Sequence, residues 1–235
     1  MAPLFDLLLA THNRGKLIEL RALLADLPVE IVDLATALPG RPQAVEDGAT
    51  LLDNARIKAR AAVSATMMLT LAEDAGLEVD ALGGRPGVRS ARFAGEGATD
   101  AANNAALLEA LAEVEDDQRT ARFRCVMVLS DPWCEGETST PGSQAGQAGQ
   151  AGQASAREIV VEGRCEGVIA RQPRGAGGFG YDPLFLVTGF DRTMAELTED
   201  EKNRVSHRAR AIEALRPALE ERIARRRADT SRIAR

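Results

Sequence analysis

The chain has 235 residues, 45% of them hydrophobic, enough for one large core or two lobes. Aromatic residues make up only 3%, so Leu, Val, Ile and Ala must do the packing, and a net charge of −6 argues against a nucleic-acid binder. Three cysteines without metal-ligand spacing point away from a disulfide framework or a zinc site, and no stretch reaches transmembrane length, so the expectation is a soluble cytoplasmic protein without a membrane partner.

Residues 4–10 read as a first strand that runs into Thr11-His12-Asn13-Arg14-Gly15-Lys16. A helix follows, with Leu17, Leu20, Leu24 and Leu27 on one stripe and Asn13 as its N-cap. Strand, polar turn and helix aim backbone amides at an anion, and Lys16 adds a full charge. The Walker spacing is absent, and a capped helix with a surface lysine has the same appearance. Residues 29–34 suit a second strand. Thr50 and Asp53 form a capping box for a helix to about Ala65, on which Asn54 and Lys58 share a face.

Leu69 to Ala72 is a short apolar run ending in Glu73, Asp74, Ala75 and Gly76. That pattern suits a buried strand leaving the core at its carboxylates, and ligands collect beyond such strand ends in open α/β sheets. Carboxylates there hold a divalent metal or take a proton from water, although a plain acidic turn reads the same. Glu46, just before the preceding helix, would complete a two-carboxylate metal site if placed near Asp74.

Residues 82–95 form a glycine-rich loop, 99–112 a helix and 120–130 an alternating strand. Residues 141–155 repeat Gln-Ala-Gly and read as a flexible, low-complexity insertion at a hairpin tip. The returning strand, 158–170, carries Glu162-Gly163 and Glu166-Gly167 as expected bulge sites. Then Gly175, Gly177, Gly178 and Gly180 surround Phe179 and Tyr181, followed by Asp182. This is either a close-approach loop with a ring for a base to stack on or a tight turn with core aromatics. The end is helical. Thr198 and Glu201 form a capping box, Val205, Ala209, Ile212, Leu219 and Ile223 give an apolar stripe, and Pro217 should break or kink it. From Arg208 onward nine arginines face four acids, which reads as a solvated helix face with a frayed basic tail over 226–235.

A helix N-terminus with Lys16, a second lysine at Lys58, paired carboxylates, an aromatic platform and a His-Arg pair suggest a triphosphate site with a metal-activated water. At this point the chain resembles the Ham1/RdgB-type inosine triphosphate pyrophosphatases. The similarity lies in residues 10–16, 46–59, 72–77 with 83–95, 175–183, and 195–197 with 201–203 and 206–208, in that order. The resemblance implies an α/β fold: one domain over 1–235 with a long twisted mixed sheet flanked by helices in two lobes and a central cleft. It implies a homodimer and Mg²⁺-dependent hydrolysis of ITP, dITP and XTP to monophosphate and pyrophosphate, clearing deaminated purines. Thr11, Asn13, Lys16 and Lys58 match the family's phosphate-binding residues. Glu46 and Asp74 match its metal site, with Asp74 as general base. Phe179, Gly180, Tyr181, Asp182, Lys202, His207 and Arg208 match its base pocket, with Glu73, Ala75 and Ser206 in support.

The family usually has Asp-Asp-Ser-Gly where this chain has Glu73-Asp74-Ala75-Gly76. A Maf-type nucleotide pyrophosphatase is the nearest enzyme alternative, distinguished by base preference. A nucleotide-binding regulator without turnover is motivated by Ala75, and an RNA-binding module by the arginine-rich end.

Overall fold

Parallel and antiparallel pairing meet on one strand, and the site forms where they meet. The computed structural model describes residues 5–42, 44–134 and 157–233; the Gln-Ala-Gly insertion lies outside them. Six strands make one mixed sheet in the order β2-β1-β3-β4-β5-β6. They are β1 (Phe5–Leu9), β2 (Val29–Asp33), β3 (Leu69–Val79), β4 (Thr120–Ser130), β5 (Glu158–Ile169) and β6 (Phe185–Val187). β1 is parallel to β2 and β3, and the remaining pairs are antiparallel.

The helices are α1 (Arg14–Leu23), α2 (Leu34–Ala37), α3 (Leu51–Thr66), α4 (Asp100–Ala110), α5 (Glu199–Val205) and α6 (His207–Ile233). Successive strand side chains alternate between faces. Leu7, Leu9, Leu69, Leu71, Cys125 and Met127 accordingly pack with α1 and α6, while Leu8, Ala72, Val126 and Val128 pack with α3. Leu77, Val79, Phe123 and Cys165, further along the sheet, join Leu107 of α4 and Leu111, just past its end, in another core cluster.

The structure departs from the sequence reading in five places. β3 does not end at its carboxylates; it continues to Val79, paired with β4 from Thr70↔Ser130 to Val79↔Ala121. It is β1 that stops, at Leu9↔Leu71, so Glu73 and Asp74 stand just past the end of their parallel neighbour. The β4–β5 register runs without a bulge. Gly163 and Gly167 serve close approach instead: a Cβ at Gly163 would lie 2.1 Å from His207 O, and one at Gly167 would lie 2.3 Å from Leu186 O.

The final helical region is two helices, split at Ser206, whose backbone is extended (φ −65°, ψ 156°). Its hydroxyl accepts from Ala209 N at 3.1 Å, capping α6. Of the expected break or kink at Pro217 the break does not occur: α6 runs through it, and because Pro217 and Glu213, four residues earlier, are both exposed, water can satisfy the freed carbonyl. Nor does the chain fray at residue 226. α6 continues to Ile233, the Arg226 guanidinium lies 3.4 Å from the Trp133 ring centroid, and Arg226 pairs with Asp131 at 2.7 Å. Arg208, Arg216, Arg222, Arg225 and Arg226 all have acidic partners within the fold. Among the described residues, no helix is long and apolar enough to cross a membrane.

Candidate active site

The cleft is about 400 Å³ and is lined at one end by the β1–α1 turn and α3, at the other by the glycine loop and the start of α6. Thr11, Asn13, Lys16, Glu46, Lys58, Asp74, Ala75, Phe179, Gly180, Tyr181, Asp182, His207 and Arg208 all line it. Glu73, Lys202 and Ser206 stand behind its wall.

At the first end, the turn is organised locally. Thr11 Oγ1 accepts from Asn13 N at 3.1 Å, and Asn13 Oδ1 accepts from Lys16 N at 3.0 Å. The N-terminus of α1 and the Lys16 side chain therefore belong to the same wall, an arrangement suited to an anion.

Adjacent carboxylates on β3 point to opposite sheet faces. Asp74 faces α3, where Asn54 Nδ2 donates to it at 3.1 Å and Lys58 Nζ stands 3.1 Å from Oδ1. Lys58 also reaches Glu46 at 2.7 Å, so one ammonium bridges the two carboxylates. Burial lowers the lysine pKa, but Asp74 and Glu46 outweigh it and hold Lys58 above its ordinary value. Asn54 Oδ1 accepts from Gly48 N at 2.9 Å, which ties the loop carrying Glu46 to the same helix.

Glu73 faces the other way, toward α1 and α6. Arg208 Nε lies 2.9 Å from Oε1, Lys16 Nζ 3.4 Å from the same oxygen, and Cys125 Sγ 2.9 Å from Oε2. Burial favours protonation of Glu73, yet Arg208 and Lys16 hold it well below the usual carboxylate range. Burial first, and then that carboxylate, push the Cys125 thiol up.

At the second end, Arg208 Nη1 binds Glu19 Oε2 at 2.7 Å, and Lys202 joins Glu19 to Asp182 at 2.5 and 2.7 Å. Asp182 Oδ2 also accepts from Phe179 N at 3.0 Å, which fixes the loop beneath the ring. Phe179 rests on the α1 turn: a Cβ at Gly15 would be 2.5 Å from its Cδ1. The Lys202 and Arg208 cationic groups lie 5.1 and 5.2 Å from the Phe179 centroid. His207 stacks on Phe123 at 4.9 Å and is buried in the cleft wall; burial and the Arg208 charge keep its pKa far below the ordinary histidine value. Its Nδ1 is buried without a hydrogen-bond partner among the described residues. Tyr181 belongs to the core, with its hydroxyl donating to Ser90 O at 2.9 Å.

Several participants were not singled out from the sequence. Glu19 stands one turn after Lys16 on α1, a spacing that could have flagged it. Asp100 Oδ2 accepts from Gly180 N at 2.7 Å and Asn104 Nδ2 donates to Gly180 O at 3.0 Å, contacts 80 and 76 residues apart in sequence with no local signal.

Among the described residues, no three His, Cys, Asp or Glu side chains gather as a metal centre. Glu46 and Asp74 nonetheless fit a hard divalent cation. They already flank one positive charge, and Mg²⁺ commonly takes one or two carboxylates and completes its shell with water and phosphate oxygens.

Residues 7–218 match the Ham1 family model. The chain is 47% identical over 206 residues to the dITP/XTP pyrophosphatase of Desulforamulus reducens, covering 88% of this chain and 91% of that protein. It is 43% identical to the Bacillus subtilis dITP/XTP pyrophosphatase, covering 92% and 97%. A solved HAM1 protein from Coxiella burnetii superimposes with a TM-score of 0.75 at 38% identity, covering 93% of this chain and all of that one.

Proposed function

The chain belongs to the Ham1 family, and from that premise we propose that it hydrolyses non-canonical purine nucleoside triphosphates (dITP, ITP and XTP) to the monophosphate and pyrophosphate. The observation that carries this reading is one cleft joining a lysine-rich anion end, with two carboxylates, to a base end built around Phe179, His207 and Arg208.

The α1 N-terminus, Lys16 and Lys58 bind the phosphates and offset charge as it develops on them, which is where phosphoryl-transfer catalysis mostly lies. Asp74, oriented by Asn54 and Lys58, positions water and takes its proton as the oxygen attacks the α-phosphorus and pyrophosphate leaves. Glu46 and Asp74 would hold Mg²⁺, which supplies charge neutralisation at the phosphate oxygens.

Arg208 donates to the 6-keto oxygen of hypoxanthine or xanthine. Adenine presents an amino group there and leaves donor facing donor, a mismatch that gives strong discrimination. His207, held neutral, can meet the base without adding charge. Phe179 supplies the stacking surface, and Lys202 supports it through Asp182. The absence of a hydroxyl at Ala75 leaves the reaction class unchanged, because neither the lysines nor Asp74 depends on it.

A cytoplasmic homodimer is part of the same proposal, supported by the family resemblance and by free cysteines at 125, 134 and 165. Analytical ultracentrifugation tests the dimer. Incubation with Mg²⁺ and either dITP or dATP tests the reaction: dIMP and pyrophosphate are expected from dITP, with little product from dATP. Release of free phosphate alone, or equal turnover of both, would overturn the reading.

A further inference from the structure

Glu73 takes no part in the chemistry above and does not line the cleft, yet it is only 1% exposed. Two of its three side-chain partners do line the cleft, Lys16 at the phosphate end and Arg208 at the base end. One buried carboxylate thus touches the cations that read opposite ends of the ligand.

Both cations stand in the first turns of helices, α1 and α6, and neither turn contains an acid. A cation there opposes the partial positive charge of the helix N-terminus. Glu73 supplies the missing counter-charge from the sheet. It also takes the guanidinium Nε of Arg208, while Glu19 takes Nη1. No described residue takes Nη2. With two corners of a planar fork held, the direction of the third is set. Cys125 Sγ, 2.9 Å from Oε2, is the third side chain that holds the carboxylate.

We propose that Glu73 is a specificity-determining positioning residue: it fixes Arg208 and Lys16 to one buried carboxylate, so that the base-reading guanidinium cannot swing away from a mismatched purine. This rests on the base-selective reading above. Discrimination between a 6-keto and a 6-amino purine survives only while the donor is unable to retreat. Glu73 acts through Arg208, and Cys125 acts through Glu73.

The test compares binding of IMP and AMP by calorimetry, alongside turnover of dITP and dATP, in the wild type, Glu73→Gln and Glu73→Asp. Glu73→Gln keeps the side-chain length and removes the charge. The IMP-over-AMP preference is expected to fall on the order of tenfold in Glu73→Gln and to be largely kept in Glu73→Asp, which retains a carboxylate. An unchanged preference in folded Glu73→Gln overturns the proposal. Should that variant fail to fold, Cys125→Ala decides. It removes the thiol contact at the cost of a small gap in the core and should lower the preference about threefold; no change overturns the proposal. A wild type that prefers IMP but releases no pyrophosphate from dITP overturns the hydrolysis reading alone, and the variants' preference still decides the role of Glu73. A wild type that binds IMP and AMP alike overturns both.

Discussion

Gly163→Ala is expected to injure stability and activity together, although residue 163 lies outside the cleft. The added Cβ would stand 2.1 Å from His207 O and 2.4 Å from Ala211 N. Both are backbone atoms, so no side-chain rotation relieves the contact. To reach the 3.4 Å at which ordinary contact begins, α6 must withdraw from β5 by about 1.3 Å. Overpacking of this kind costs about 3 kcal/mol. In a chain of 235 residues that corresponds to a Tm lowered by about 6–12 °C. The displaced segment is the first turn of α6, which carries His207 and Arg208. A shift near 1 Å in a positioning element costs roughly 10²-fold in rate. Thermal unfolding followed by circular dichroism and pyrophosphate release from dITP measure the two effects. A Gly163→Ala protein with unchanged Tm and unchanged kcat/KM would refute the claim that this glycine sets the distance between helix and sheet.

Asp74→Asn should lower pyrophosphate release by about 10²–10⁴-fold while IMP binding persists; retained turnover would remove Asp74 from the proton transfer. Lys58→Met leaves Glu46 and Asp74 without their bridging cation and should cost about 3 kcal/mol in metal-free buffer. Mg²⁺ should then raise its Tm more than it raises that of the wild type, and an equal rise would show that metal and lysine do not share that place. The Glu201 carboxyl is lowered to about 2 by its hydrogen bonds to Arg192 and to the Thr198 backbone. A lowered acid stabilises fully above its unfolded pKa, here 4.5, and loses that contribution as pH falls toward 2. Urea unfolding across that window should show an acid limb that Glu201→Gln flattens, since α5 is capped through this side chain.

Local chemistry was legible in the sequence wherever partners are near neighbours. The Asn13 cap and the capping boxes at Thr50 and Thr198 are present as expected, because each is a contact three residues long. The alternation of β4 was also readable. The length of β3 was not: polar residues at 73 and 74 suggest an exit from the core, whereas Asp74 is paired with Lys58 of α3 and Glu73 with Lys16 of α1 and Arg208 of α6. The split at Ser206 escaped notice because Val205 and Ala209 continue the apolar spacing across it. Glycines at 163 and 167 signalled a special position, but whether a bulge or a passing backbone requires them depends on α6 and on β6, elements distant in sequence. Most of the candidate cleft was found by motif, while Glu19, Asp100 and Asn104 act on residues far along the chain.

The opposite facing of Glu73 and Asp74 also constrains how this stretch can evolve. Each face asks for a carboxylate, Asp74 beside Asn54 and Lys58 and Glu73 beside Arg208 and Lys16. An inserted or deleted residue anywhere between Leu69 and Glu73 would turn both side chains to the wrong face at once. It would also move Gly76, where a Cβ would come within 2.2 Å of Gly87 O, and put a side chain against that carbonyl. The length of this strand is therefore fixed from both of its faces at once, and a change of size is accommodated only in the loops around it.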